Sequence, residues 1–266
     1  MLGKYDVQYY KCQKCLSLQT DPPNWLDEAY INNLSSLDTG AVQRNLNNMA
    51  AAYAVCKISG STKIIDVGGG DGLLCRLLRD YGLDCYVADK YAKPSYAQGF
   101  TLPGFGRPDL VMAFEVLEHF SNPKQDLGML FEKKSDLILV STAIYSDEDK
   151  DWWYLTPESG QHVFFYSKTS MELLAKNYGY TLLISGNYML FARGLSPVKS
   201  NLIKLALRPR LVNILRSIIL LFSTPSVAQD HELQRLRSLD ATICQPLVDA
   251  GPTVVSTRHE GARAVE

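Results

Sequence analysis

Cysteine and histidine are scarce in this chain, acidic and basic residues nearly cancel, and no apolar run is long enough to span a bilayer. Of six cysteines in 266 residues only Cys12 and Cys15 are closely spaced. That excludes a disulfide-stapled scaffold, and reduced thiols are expected. The 27 basic and 28 acidic side chains leave a formal charge of -1, so no global field favours a polyanion, no nucleic-acid partner is expected, and one would need a local basic patch. The longest apolar stretch, Leu211 to Phe222, is interrupted by Asn213, Arg216 and Ser217. It falls short of the roughly 20 residues needed to cross a membrane. The first residues show no basic region leading into an apolar one, so no cleaved secretion signal is expected and a cytoplasmic setting is. With 46% hydrophobic and 21% charged residues, the composition is that of a globular protein with a substantial core. Disorder, collagen and coiled coil are excluded.

Three regions differ in pattern. Residues 1–35 hold tyrosines 5, 9 and 10, the Cys12–Cys15 pair and the turn Asp21-Pro22-Pro23, and read as a small appended element. Residues 36–194 form the main domain. A helix is expected over Ala41 to Lys57, with Asp38 and Thr39 as candidate caps. Strands are expected at Lys63 to Val67, Asp84 to Ala88, Asp109 to Phe114 and Asp136 to Thr142, with helices between most of them. Such alternation predicts an α/β fold with a mostly parallel, doubly wound sheet covered on both faces. Thr181 to Ser185 and Tyr188 to Ala192 flank Gly186-Asn187, a hairpin signal that adds a terminal antiparallel pair. Residues 195–266 read as a basic helical extension broken at Pro209 and followed by a loose tail. The segment 199–222 has two readings: helices packed on the domain or on another subunit, or a peripheral contact with anionic lipid.

The sequence Asp66-Val67-Gly68-Gly69-Gly70-Asp71-Gly72 joins an expected strand to an expected helix, where glycines let a ligand approach backbone N–H groups. A dinucleotide fingerprint would need glycine at position 73, which is leucine, and a P-loop would need Gly-Lys-Ser/Thr. The pattern Asp-x-Gly-x-Gly-x-Gly resembles the first motif of class I S-adenosylmethionine-dependent methyltransferases. Asp89, at the end of the next strand, matches the acid that in that family binds both ribose hydroxyls. Phe114 and Glu115, ending the following strand, match positions that border the cofactor. The resemblance covers residues 41 to 193 and implies a Rossmann-like methyltransferase sheet binding S-adenosylmethionine. It sets Gly68 and Gly70 under the methionine moiety and Asp66 near its amino group through water.

Glu115, Glu118 and His119 stand at i, i+3 and i+4, a spacing that one helical turn places on one face. His162 follows before a candidate capped helix ending at Tyr178. This order is similar to that in small-RNA 2′-O-methyltransferases and ubiquinone-pathway O-methyltransferases, and implies a divalent ion, Mg²⁺ or Mn²⁺, held beside the methyl acceptor. Two other readings of the histidines stay open: His162 or His119 as a general base, and a structural role.

Cys12 and Cys15 are half of a four-cysteine zinc site. The pair also resembles the second half of the zinc module of sugar C-methyltransferases, which implies a saccharide acceptor and a zinc site or its remnant. Trp152, Trp153 and Tyr154 either line the acceptor pocket or cover the sheet edge. Methyl transfer to an oxygen, less readily a carbon, of a small molecule or saccharide unit is the expected activity. The rivals are metal-dependent RNA 2′-O-methylation and a non-catalytic binding or assembly subunit of the same fold.

Overall fold

The structure is a computed structural model that describes residues 1–31, 38–101, 103–222, 224 and 226–243. Two compact units divide the chain, Met1–Val227 and Ala228–Glu266. Among the described residues the second contributes most of one helix, Ser226–Ile243. Cys244, the rest of the expected tail and residues 32–37 lie outside the described residues.

The first unit opens with two short strands, β1 Tyr9–Lys11 and β2 Leu18–Thr20, and a single helical turn, α1 Leu26–Ala29. Helix α2 follows at Ala41–Ser59 and stops at Gly60, whose left-handed backbone lets its N–H return to the Cys56 carbonyl at 2.8 Å. The helix begins at Ala41 as expected, but neither Asp38 nor Thr39 caps it. Gly40 is the N-cap, and Asp38 instead pairs with the Arg44 guanidinium.

Next come β3 Lys63–Val67, α3 Leu73–Asp80, β4 Asp84–Ala88, β5 Leu110–Phe114, a 3₁₀ turn Leu117–His119, α4 Pro123–Phe131 and β6 Leu137–Ser141. After these lie β7 Phe164–Phe165, α5 Lys168–Tyr178, β8 Thr181–Ser185, β9 Tyr188–Ala192, α6 Pro197–Ala206 and α7 Pro209–Ile219. Six strands form one sheet in the order β4-β3-β5-β6-β9-β8. The first four are parallel, and β9 runs antiparallel between β6 and β8. Strands β5, β6 and β9 are nearly continuous apolar runs because helices cover both faces.

One layer of core joins Met49, Val55, Leu78 and Leu110 with Ile203, Leu207, Val212 and Ile219 from α6, α7 and the junction between them. The opposite layer joins Val111, Ile138, Phe131, Met171 and Phe191 under α4 and α5. Strand order reverses beside β3, so the crevice at the carboxyl ends of β3 and β5 is the topological switch point, where ligands bind in such sheets.

A second, three-stranded sheet is antiparallel in the order β1-β2-β7. It ties the first 30 residues to the segment between β6 and α5. Trp25 strengthens this tie: its indole N–H donates to the Gly160 carbonyl at 2.8 Å, and the ring is buried.

Phe191, buried on β9, meets the rings of Phe131 and Tyr180 at 5.2 and 6.4 Å. Phe191→Ala should lower stability by about 3–5 kcal/mol. Urea unfolding measures this, and a loss under about 1 kcal/mol would mean that the layer repacks freely.

Candidate active site

The loop after β3 is shaped by backbone that side chains disfavour. Gly68 has φ 69° and Gly72 has φ 81°. A Cβ on Gly68 would lie 2.6 Å from Cγ2 of Val116, and one on Gly72 would lie 2.7 Å from the Ala97 methyl. The loop is therefore a cradle that only glycine leaves open. The Gly70 N–H donates to Oδ2 of Asp89 at 2.9 Å, while Oδ1 of Asp89 accepts from the N–H groups of Tyr91 and Ala92 at 2.8 and 2.7 Å. Three backbone donors thus hold this carboxylate at the rim, with one acceptor position left on Oδ2.

Under the loop lies Asp66, buried, with Oδ2 lacking any hydrogen-bond partner. Burial, reinforced by the charge of Asp89, pushes its carboxyl up to about 7. A buried acid without a partner costs free energy unless a cation or donor arrives. Both features fit a cofactor carrying an amino group and a ribose.

Beyond β5 the chain turns sharply. Glu115 has the left-handed φ of 53°, rare outside glycine. It therefore leaves the turn that carries Glu118 and His119, and the single helical face expected from the spacing does not form. Its Oε1 accepts from the Ser141 hydroxyl at 2.7 Å and its Oε2 from the Tyr154 hydroxyl at 3.0 Å. The same tyrosine hydroxyl lies 2.7 Å from Oε1 of Glu118. Glu118 is fully buried, and its Oε2 has no partner. Burial first, then the charge of Glu115, raises its carboxyl to about 7.

Glu118, His119 and His162 bring one potential ligand atom each within 4.8 Å of one another, whereas Glu115 stands outside this group. Nδ1 of His119 lies 3.0 Å from the Gln161 carbonyl, and Nδ1 of His162 lies 2.7 Å from the Tyr154 carbonyl. A carbonyl only accepts, so each Nδ1 carries the proton and each Nε2 keeps its lone pair. Burial lowers both imidazole pKa values and favours these neutral forms. Two oriented lone pairs and an unsatisfied carboxylate oxygen fit a divalent cation.

The profile of the methyltransferase domain matches residues 36–184. The chain belongs to this methyltransferase family. It is an enzyme that uses S-adenosylmethionine, and the glycine cradle lies inside the matched region. No curated protein sequence matches the chain. Among solved structures, the methyltransferase domain of bacterial CtHen1 is similar at 18% identity, covering 57% of this chain and 99% of that one with a TM-score of 0.42. An O-methyltransferase family protein from Burkholderia thailandensis is similar at 15% identity over 66% and 69% of the two chains, with a TM-score of 0.44. Magnesium protoporphyrin IX methyltransferase (ChlM) from Synechocystis PCC 6803 with bound SAH shares 13% identity over 64% and 94%, with a TM-score of 0.40.

One residue of the candidate site escapes sequence reasoning and another takes an unforeseen part. Tyr30, from the amino-terminal segment, places its hydroxyl 3.0 Å from Nδ1 of His119 and stacks on Tyr91 at 5.0 Å. Tyr154, expected with its two tryptophan neighbours to line the acceptor pocket or to cover the sheet edge, links the two glutamates. Of its neighbours, Trp152 packs on Tyr145 and Phe165, and Trp153 is 74% exposed.

Cys12 and Cys15 lie apart from this site. Backbone N–H groups of Cys15 and Lys14 hold the Cys12 thiol below its usual range. Among the described residues no third ligand group joins the pair. Their loop instead clasps α5: the Cys15 carbonyl accepts from the hydroxyl of Ser167, the residue that caps that helix.

Asp66 gives a pH signature. Its carboxyl is raised above the ordinary 3.8 in the folded state, so the stability it contributes is full below about 3.8 and is lost as pH rises through about 7. The melting temperature of the ligand-free protein should fall less between pH 5 and 8 in Asp66→Asn than in wild type. Parallel profiles would show that this carboxyl is not held neutral.

Proposed function

We propose that the protein transfers the methyl group of S-adenosylmethionine to a hydroxyl oxygen of a small-molecule or saccharide acceptor bound beside Glu118, His119 and His162. The observation that carries this reading is the grouping of two imidazoles and a buried acid, one potential ligand atom each within 4.8 Å of the others, next to the glycine cradle. Asp66 would meet the amino group of the cofactor, directly or through water, and Asp89 would accept from a ribose hydroxyl. Phe114 and Glu115 would border it. When bound, the cofactor supplies a methyl group on a sulfonium sulfur, which an oxygen nucleophile takes by in-line displacement.

The chain's own residues hold the acceptor hydroxyl on that line and take up its proton. Alignment supplies much of the rate in such a transfer. With no ion bound, Nε2 of His162 or of His119 is available to accept the proton, since burial keeps both rings neutral near pH 7. Glu118, His119 and His162 would hold Mg²⁺ or Mn²⁺, whose chemistry is to lower the pKa of a hydroxyl beside it. Exposed Trp153 offers a flat apolar face suited to a sugar or planar ring.

Calorimetric titration with S-adenosylhomocysteine tests the cofactor half. Wild type should bind saturably, and Asp89→Ala should lose about 1.5–3 kcal/mol, roughly 10- to 100-fold in Kd. Equal affinity of the two proteins would remove Asp89 from the site.

Thermal unfolding with added Mn²⁺ tests the metal half without reference to turnover. At about one hundred times Kd the ion should add about 2.7 kcal/mol to wild type. It should add little to Glu118→Gln or His162→Ala. No shift in wild type would leave the two histidines as base and structural neighbour.

A further inference from the structure

We propose that α6 and α7 form a docking face for an anionic lipid surface. Between Leu195 and Phe222 the chain carries Lys199, Lys204, Arg208, Arg210 and Arg216 and no aspartate or glutamate, within a protein of net charge -1. Lys199 donates to the Ser59 carbonyl and Arg216 to the Asn47 side chain, both neutral, and among the described residues none of the five cations forms an ion pair.

The same helices carry two apolar faces each. Ile203 of α6 and Val212 and Ile219 of α7 are buried in the core layer against α2. A second stripe on α6, Val198, Leu202 and Leu205, stands at i, i+4 and i+7 and faces solvent. Ile214, Ile218 and Leu221 repeat that spacing from α7 onward, with Leu221 84% exposed. Single exposed apolar side chains are ordinary, but a stripe on each helix among cations without acidic partners marks a surface built for contact.

Charge selects the occupant. A second copy of the chain would set like charges against like. RNA would engage the cations and leave both stripes in water. An interface of anionic headgroups over acyl chains meets both requirements, the cations at headgroup level and the stripes at the acyl boundary.

The face also has a defined place relative to the catalytic crevice. The Ser185 hydroxyl donates to the Lys204 carbonyl at 2.9 Å. A Cβ on Gly186 would lie 2.9 Å from Cγ of Pro209. The α6–α7 junction therefore abuts the β8–β9 turn, and Tyr188, which follows that turn, pairs with Ser141, whose hydroxyl holds Glu115. Docking through this face would bring the site edge of the sheet toward the lipid surface. The inference stands independently of the methyl acceptor proposed above.

Sedimentation of the full chain with vesicles tests it. The protein should pellet with vesicles of phosphatidylcholine and phosphatidylserine, much less with phosphatidylcholine alone, and should be released by salt. Lys204→Glu with Arg210→Glu should reduce the partition coefficient roughly 10- to 30-fold. Ile214→Ser with Leu221→Ser should also reduce it, with circular dichroism and melting temperature showing that the fold is kept. Absence of binding to the phosphatidylserine vesicles would overturn the proposal. So would binding that neither double variant weakens, or retention of RNA or formation of a salt-sensitive dimer through this face without vesicle association.

Discussion

A single hydroxyl group, that of Tyr154, sits between the carboxylates of Glu115 and Glu118, and the geometry of the crevice is organised around it. One O–H proton cannot satisfy two ionised acids at once. Burial of Glu118 makes its ionised form costly, so the pair is most comfortable with an extra proton or with a cation close by. The left-handed backbone at Glu115 is the local strain that brings this acid to the tyrosine rather than out along a helical turn. The Tyr154 backbone carbonyl meanwhile fixes the tautomer of His162. One residue thus links the two acids through its hydroxyl and directs the free lone pair of His162 through its carbonyl.

Around this centre the amino-terminal segment has a more intimate part than an appendage would. It adds two strands to β7, buries Trp25 against Gly160 and brings Tyr30 to the imidazole of His119. The hydrogen bonds of both histidines to backbone carbonyls depend on the stretch from Tyr154 to His162 keeping its path. The small sheet and the Trp25 anchor hold that path in place.

Much of the fold was legible because its large elements follow hydrophobic period. Lys63 to Val67, Asp84 to Ala88 and the final hairpin appear where alternation and turn residues predict them, and the glycine run lies between strand and helix as its spacing required. The two- and three-residue strands β1, β2 and β7 were not legible, since runs so short carry no period and β2 and β7 meet only by pairing across about 145 residues of chain. In the site, Asp66, Asp89, Glu118 and both histidines were named from motif and order. The removal of Glu115 from the potential ligand group was not, because a positive φ at a non-glycine residue leaves no mark in the sequence. Tyr30 was missed as a site residue, and Tyr154 was read only as pocket lining or edge cover, for a related reason: a tyrosine reads alike in a core and in a hydrogen-bond network.

Asp66 carries one further consequence. A carboxyl that sits near its midpoint at neutral pH and has no partner for one oxygen is a proton reservoir. An ammonium group arriving beside it would favour the ionised form and expel the stored proton to solvent. Uptake of a positively charged ligand there is then an exchange of one cation for another. The heat of that uptake would vary with the ionisation enthalpy of the surrounding buffer, and the affinity would strengthen as the medium becomes less acidic.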